Sequence, residues 1–429
     1  MIRELLKKFE FMNMNLRILT IRQILGMFFR RMVISYSSLY ILAVGGDKSQ
    51  IGFVNSLLPL AGLLLFPISG YLTDRTGRVK LIALSGYLTS LTMLLYVFAP
   101  SWEWIAIGAL LQGLEVFQFP PSSAILADSM DPRARGRGIA IMFTMASVFA
   151  IFSPYIGGIV LEFYGINFGM RILYTLLMIA LAISSTLIHR FLQETASLEK
   201  TEIGFNILDI LKETYAGIPG LIGTMSRSVK AFGVFVGMGF IANAIAGPFW
   251  VVYAIEEVGL SKIDWGLILL LESIFKTVLT IPCGLIADRF SRTKTLFASV
   301  FFSLISLPLL IMASTFVHIL LIRLCVGLAG ALFLPSSTAL MADFVPRKRR
   351  GRVMAAIGRG SVLIGATGGG IGGPGMGYLF TIPVMAASII GGLLYSMNPV
   401  YTWICVIGTT MIQLVSIVLF IRDPEKVEE

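Results

Sequence analysis

The chain, 429 residues long, keeps returning to apolar runs of the length needed to cross a lipid bilayer, and that recurrence limits its fold more than any motif does. A helix spans a hydrocarbon core of about 30 Å with about 20 apolar residues, and within lipid the backbone must satisfy its own hydrogen bonds. The runs lie at roughly 20–44, 50–72, 80–99, 103–127, 138–161, 169–189, 234–256, 265–287, 295–314, 317–341, 374–396 and 401–421. They predict an all-α membrane protein with twelve transmembrane helices and the lipid bilayer as its solvent. Only 14% of the residues are charged and 56% are hydrophobic, which leaves no polar stretch for a soluble domain between the runs.

The formal net charge of +10 would suggest nucleic acid in a soluble protein. Here the basic residues are sorted by loop. Those after runs two, four, eight and ten carry Arg75/Arg78/Lys80, Arg133/Arg135/Arg137, Arg289/Arg292/Lys294 and Arg347, Lys348, Arg349, Arg350 and Arg352. The alternate loops hold Asp47, Glu103, Glu162, Glu256, Glu257 and Asp264, with Lys48 and Lys262 as exceptions. This bias predicts a multi-pass protein of the cell membrane with both termini in the cytoplasm and no nucleic-acid partner.

The chain also repeats itself. Gly70-Tyr-Leu-Thr-Asp74-Arg75-Thr-Gly77-Arg78-Val-Lys80 returns as Gly284-Leu-Ile-Ala-Asp288-Arg289-Phe-Ser-Arg292-Thr-Lys294, displaced by 214 residues. Pro121-Ser-Ser through Asp128 returns as Pro335-Ser-Ser through Asp343, with one residue inserted. Two pseudo-symmetric six-helix bundles facing the same way follow, a design that in transporters puts the substrate site between the halves near the bilayer midplane. The expected organisation is a cytoplasmic segment 1–19, a first bundle 20–189, a cytoplasmic linker 190–233, a second bundle 234–421 and a tail 422–429. The linker contains an amphipathic stretch, Phe205 to Lys212, suited to the headgroup region. The second bundle carries a cytoplasmic insert at 352–373 that runs into a glycine-rich segment, 365–375. Its Gly368-x-Gly370-x-x-Gly373 lacks the preceding strand and the acidic ribose partner of a dinucleotide site, so no cofactor is expected.

Charges inside the runs are the site candidates, since an ionisable group near mid-membrane costs at least about 2.5–3.5 kcal/mol on insertion scales. Glu115 lies about 13 residues into its run, roughly 20 Å along a helix rising about 1.5 Å per residue. A carboxylate buried there can exchange protons as a cavity alternates between wet and dry, which makes it the candidate proton carrier. Glu272 and Lys276 share a helix face four residues apart and are expected to neutralise each other. Arg30 and Arg31 are deep in the first run; adjacent residues point about 100° apart, so at most one faces a cavity squarely. Arg323 is expected near the outer end of its run, where its long stem can snorkel. Tyr36, Tyr40, Gln112, Asn243, Trp250 and Tyr253 are candidate lining residues.

Enzyme chemistry has no foothold: there is no His-Glu-x-x-His, no Gly-x-Ser-x-Gly, and the two histidines, His189 and His318, lie near run ends. Cys283, Cys325 and Cys405 are isolated, so neither a disulfide framework nor a metal site is expected. No phosphate loop marks a nucleotide-driven pump. A channel or a non-transporting receptor stays open, because helices and charges alone do not reveal alternating access.

Gly70 to Arg78 reproduces the Gly-x-x-x-Asp-Arg-x-Gly-Arg loop motif of the major facilitator superfamily, and the chain resembles that family along essentially its whole length. The weaker second copy, Gly284, Asp288, Arg289 and Arg292, is also what the family shows. The resemblance implies the major facilitator fold, a monomer, and a gate in which Asp74 latches the cytoplasmic side against the eleventh helix. Ser153-Pro154-Tyr-Ile-Gly157-Gly158 is similar to the fifth-helix motif of the family's drug/proton antiporters, short of its first glycine. Gln112-Gly113 keeps the end of their fourth-helix motif, whose arginine position is Ala109 here, while Arg323 occupies the equivalent place in the second half. The resemblance therefore points to proton-coupled export of a small amphipathic or hydrophobic solute. The alternative is proton-coupled or facilitated transport of an organic anion or polar metabolite, suggested by Arg30, Arg31, Lys276 and Arg323.

Overall fold

The computed structural model describes residues 13–73, 76–131, 135–195, 212, 215–345, 350–358 and 376–421. The linker stretch 205–211 and the glycine-rich segment 365–375 therefore lie outside the described residues, as do Asp74 and Arg75.

The described chain is helical, with one isolated bridge between Gly358 and Met376. The first half runs α1 (Met14–Ile34), α2 (Ser37–Ala43), α3 (Lys48–Thr73), α4 (Arg78–Val97), α5 (Trp102–Leu111), a tight 3₁₀ stretch Gln112–Gln118, α6 (Phe119–Asp128), α7 (Arg135–Ala150), α8 (Ser153–Tyr164) and α9 (Ile166–Phe191). A short α10 (Ile218–Thr224) leads into the second half: α11 (Arg227–Ala246), α12 (Trp250–Val252) with a π turn Tyr253–Glu257, α13 (Lys262–Arg289), α14 (Arg292–Ile311), α15 (Phe316–Phe344), α16 (Arg350–Ile357), α17 (Thr381–Met397) and α18 (Pro399–Phe420).

Ten stretches among the described residues are long and apolar enough to cross a membrane. The first and fourth spans differ from these in kind: α1–α2 breaks at Ser35–Tyr36 and carries four arginines, and span four is three pieces, α5, the 3₁₀ stretch and α6. Caps move two expected starts. Asn13 accepts the Leu16 N–H (2.9 Å), so span one begins at Met14 instead of 20. Ser226 accepts the Val229 N–H (3.3 Å), so span seven begins at Arg227 instead of 234.

Apolar side chains cover the outside as well as the core: Val278, Ile281 and Leu285 of α13 and Ile404, Val415 and Val418 of α18 are all exposed. A face of that kind is stable only against lipid. Below it, Tyr215 donates to the Leu63 carbonyl (2.5 Å), tying the end of the linker to α3. Burial, with Tyr378 beside it, pushes this phenol up to about 12, so it remains a donor at any physiological pH.

The repeat is visible in bonding as well as in sequence. Arg78, at the start of α4, pairs with Asp128 at the end of α6, and Arg292, at the start of α14, pairs with Asp343 at the end of α15. The one departure between the two motif copies has a local cause. Gly77 precedes α4 with φ 85°, which favours glycine. Ser291, its counterpart, adopts φ −60° and accepts the Lys294 N–H (3.1 Å), capping α14 with its side chain instead.

Candidate functional site

An interior cavity of about 730 Å³ opens within the first half. Its wall is drawn from the first six spans, with none of the described second-half residues in it. This departs from the expectation of a site shared between the halves. On α1 the wall follows Arg22, Gly26 and Arg30, one helical stripe at intervals of four residues. A Cβ on Gly26 would meet nothing within 4 Å, so the stripe faces open space.

Span four supplies the acidic group through a distortion its own sequence imposes. Pro120 and Pro121 have no N–H to return to the carbonyls four residues earlier, so the α-helical ladder fails there. The freed Val116 carbonyl accepts the Phe119 N–H and the Ser69 hydroxyl (3.2 Å). The tightened 3₁₀ stretch that results contains Gln112 and Glu115, both in the cavity wall. Gly113 lets it lie against α3: a Cβ there would overlap Ala61.

Arg30 reaches Glu115 across the cavity at 2.7 Å, with both side chains about a quarter exposed, at 28% and 22%. Arg22, which the sequence reading passed over, donates to the Gln118 side-chain oxygen (2.6 Å) and the Ser122 hydroxyl (3.0 Å). Its four-residue phase with Gly26 and Arg30 was the signal available.

The second half holds another charged group in a different setting. Arg323 donates from Nε (2.9 Å) and Nη2 (2.6 Å) to one oxygen of Glu272, and its guanidinium lies 4.6 Å from the centre of the Trp250 ring. Trp250 packs edge-on against Trp403 at 4.9 Å. At 1% exposure Arg323 does not snorkel; it is among the most buried side chains of the protein. The expected Glu272–Lys276 pair is likewise replaced, because the guanidinium fork on α15 offers two donors to the carboxylate. Lys276 lies along Gly330 and remains, with Arg31, within electrostatic reach of Glu272. The adjacent arginines of α1 thus divide, Arg30 to Glu115 and Arg31 toward the second half.

Several lining candidates belong to packing instead. The Tyr36 hydroxyl donates to the Pro154 carbonyl (2.7 Å), and that of Tyr40 to the Tyr96 carbonyl (2.6 Å). The Tyr253 hydroxyl donates to the Leu310 carbonyl (3.2 Å), while Asn243 and Trp250 are buried outside the cavity wall.

Tyr36 lies where the halves close on each other, at the end of the bundle away from the termini. A Cβ on Gly158 would come 2.4 Å from the Lys262 carbonyl, one on Gly266 2.7 Å from that of Pro154, and one on Gly52 2.4 Å from that of Ser388. Gly157 packs on Met32 and Tyr36 in the same seam. Lys48–Glu256 (3.0 Å) and Lys262–Glu162 (3.6 Å) bridge the halves at its rim. At the opposite end the loop motif is looser. A Cβ on Gly70 or Gly284 would meet nothing within 4 Å, so close helix approach is not what these glycines provide in this conformation. Asp288 and Arg289 are exposed.

Two repeated halves of six spans, sealed at one end, with a cavity and paired charges inside, define a polytopic membrane carrier. The chain matches the model of the Major Facilitator Superfamily over residues 19–232 and 231–429 and belongs to that family. It is 23% identical to the multi-drug resistance efflux pump PmrA of Streptococcus pneumoniae, over 76% of this chain and 79% of the pump. It is 24% identical to an MFS-type transporter of Methanocaldococcus jannaschii, over 87% and 86% of the two chains. Among solved structures, the nucleoside transporter NupG superposes with a TM-score of 0.71 at 13% identity, covering 95% of this chain and all of that one. An inward-facing bacterial Spinster homologue gives 0.66 at 14% identity, covering 96% and 98%. The protein is a multi-pass membrane transporter of this family and not an enzyme.

Proposed function

We propose that the chain is a secondary active transporter that works by alternating access and exports a small amphipathic or hydrophobic solute in exchange for protons. It acts as a monomer in the cytoplasmic membrane with both termini inside, the side to which the basic loops point. The observation that carries the reading is the Arg30–Glu115 pair in the cavity wall. Protonation of Glu115 dissolves the pair, and a solute whose polar group engages that carboxylate competes with the proton for one site. The efflux pumps among the relatives support the direction of transport. The Asp74 latch remains part of the proposal on motif grounds.

The test is proteoliposomes loaded with a pH-sensitive dye under a proton gradient, challenged with lipophilic cations and with organic anions. Wild-type protein releases protons on addition of its solute, and Glu115→Gln abolishes that release. Proton release that is indifferent to Glu115→Gln contradicts the reading. A second reading, transport of an organic anion or polar metabolite, is favoured by the interior charge: Arg22, Arg30, Arg31, Lys276 and Arg323 stand against Glu115 and Glu272.

A further inference from the structure

The cations of the two halves are not equivalent. Arg30 and Arg323 each hold a carboxylate. Arg22 holds none: its two bonds go to neutral acceptors, Gln118 and Ser122, and no described carboxylate lies within ion-pair distance of it. Glu115 is within its electrostatic reach but is already engaged by Arg30. Gln118 is itself buried and fixed by its amide, which donates to the Thr89 hydroxyl at 3.4 Å. Arg135 adds a further cation to the same wall, with one donor on the Ala127 carbonyl (2.7 Å) and a buried Nε that has no partner among the described residues. The wall around them also offers apolar surface, with Met27, Leu58, Phe119, Ile139 and Phe143.

A guanidinium carries five N–H donors in a planar fork suited to carboxylate, sulfonate or phosphate oxygens. Half-buried in the cavity wall and bonded only to neutral groups, it gains most from an anion that arrives with the solute. A cavity of about 730 Å³ has room for a drug-sized molecule beside it.

We propose that Arg22, held by Gln118 and Ser122, receives the anionic group of an amphipathic solute whose apolar body lies against Met27, Leu58 and Phe119. The transported compound is therefore an amphipathic organic anion. This rests on the reading of the chain as a carrier of amphipathic solutes, and it names the charge of that solute.

The purified full-length protein, in nanodiscs of zwitterionic lipid, is titrated calorimetrically with three probes sharing one body: naphthalene carboxylate, naphthalene carboxamide and naphthyl trimethylammonium. The carboxylate binds tightest. Arg22→Gln weakens it by about tenfold or more, the scale of a lost charge-assisted hydrogen bond, and Arg22→Lys restores part of the loss. Tighter binding of the trimethylammonium probe, no binding of any probe, or carboxylate binding indifferent to Arg22→Gln overturns the proposal. An anionic phospholipid added to the nanodisc leaves carboxylate binding intact; competitive displacement would give the site to a lipid headgroup and overturn the solute assignment. No proton gradient enters this measurement, so binding survives if only the coupling role of Glu115 is wrong.

Discussion

Arg323→Gln lowers the stability of the folded protein by on the order of 3–5 kcal/mol, because it leaves Glu272 in the interior without its partner. The two side chains are 2% and 12% exposed, so little solvent screens the pair, and the guanidinium also loses the face of Trp250. Glu272→Gln alone is similarly damaging, since it strands a cation on α15. The double variant Arg323→Met with Glu272→Met regains most of the loss, because removing both ions also removes the penalty of burying either. Denaturation of the four proteins in detergent, compared side by side, measures this. If the double variant loses as much as the two single variants together, the pair is not the interaction that stabilises this part of the second half.

Gly158→Val holds the transporter open at the end away from the termini. The atom a Cβ would strike is the Lys262 carbonyl, at 2.4 Å, and backbone on α13 cannot move aside as a flexible side chain would. Gly52→Val does the same between α3 and α17 through the Ser388 carbonyl. Overpacking of about 1–3 kcal/mol, applied to the sealed conformation alone, shifts its population by roughly five- to 150-fold and lowers turnover accordingly. Ser37 lines the cavity just below this seal. In a background without native cysteines, Ser37→Cys reacts with an impermeant maleimide added at the sealed end when Gly158→Val is present. It stays protected when Gly158 is intact. Equal labelling in the two backgrounds would mean that the glycine seam does not close the far side.

Much of the architecture was legible because its causes are local or periodic. Apolar runs gave the spans, loop charges gave their alternation, and the repeat correctly linked Arg78 with Arg292 and Asp128 with Asp343. The site was legible only in its ingredients. Glu115 and Arg30 stood out as charges in lipid, but the bond between them crosses 85 residues of chain. Glu272 was assigned to Lys276 because a four-residue spacing is visible in sequence; the Arg323 that takes it comes from another helix, 51 residues on. Arg22 was missed because it sits near enough to the start of its span to pass for a boundary residue. The break in span four was written in Pro120–Pro121, yet a hydropathy reading joins the two sides into one helix. The glycines of the fifth-helix motif were read as a family mark, and their physical use, backbone contact with α13, appears only when the halves are assembled.

In the proposed cycle the chain carries its solute by exposing one site to alternate sides of the membrane, with Glu115 exchanging the proton. Counterflow in the absence of any proton gradient is the decisive experiment, with proteoliposomes preloaded with unlabelled naphthalene carboxylate and diluted into the labelled compound. Saturable uptake that preloading accelerates is expected, retained in Glu115→Gln even though that variant no longer accumulates solute against a gradient. Uptake that neither saturates nor responds to preloading would contradict it and make the protein a channel or a receptor.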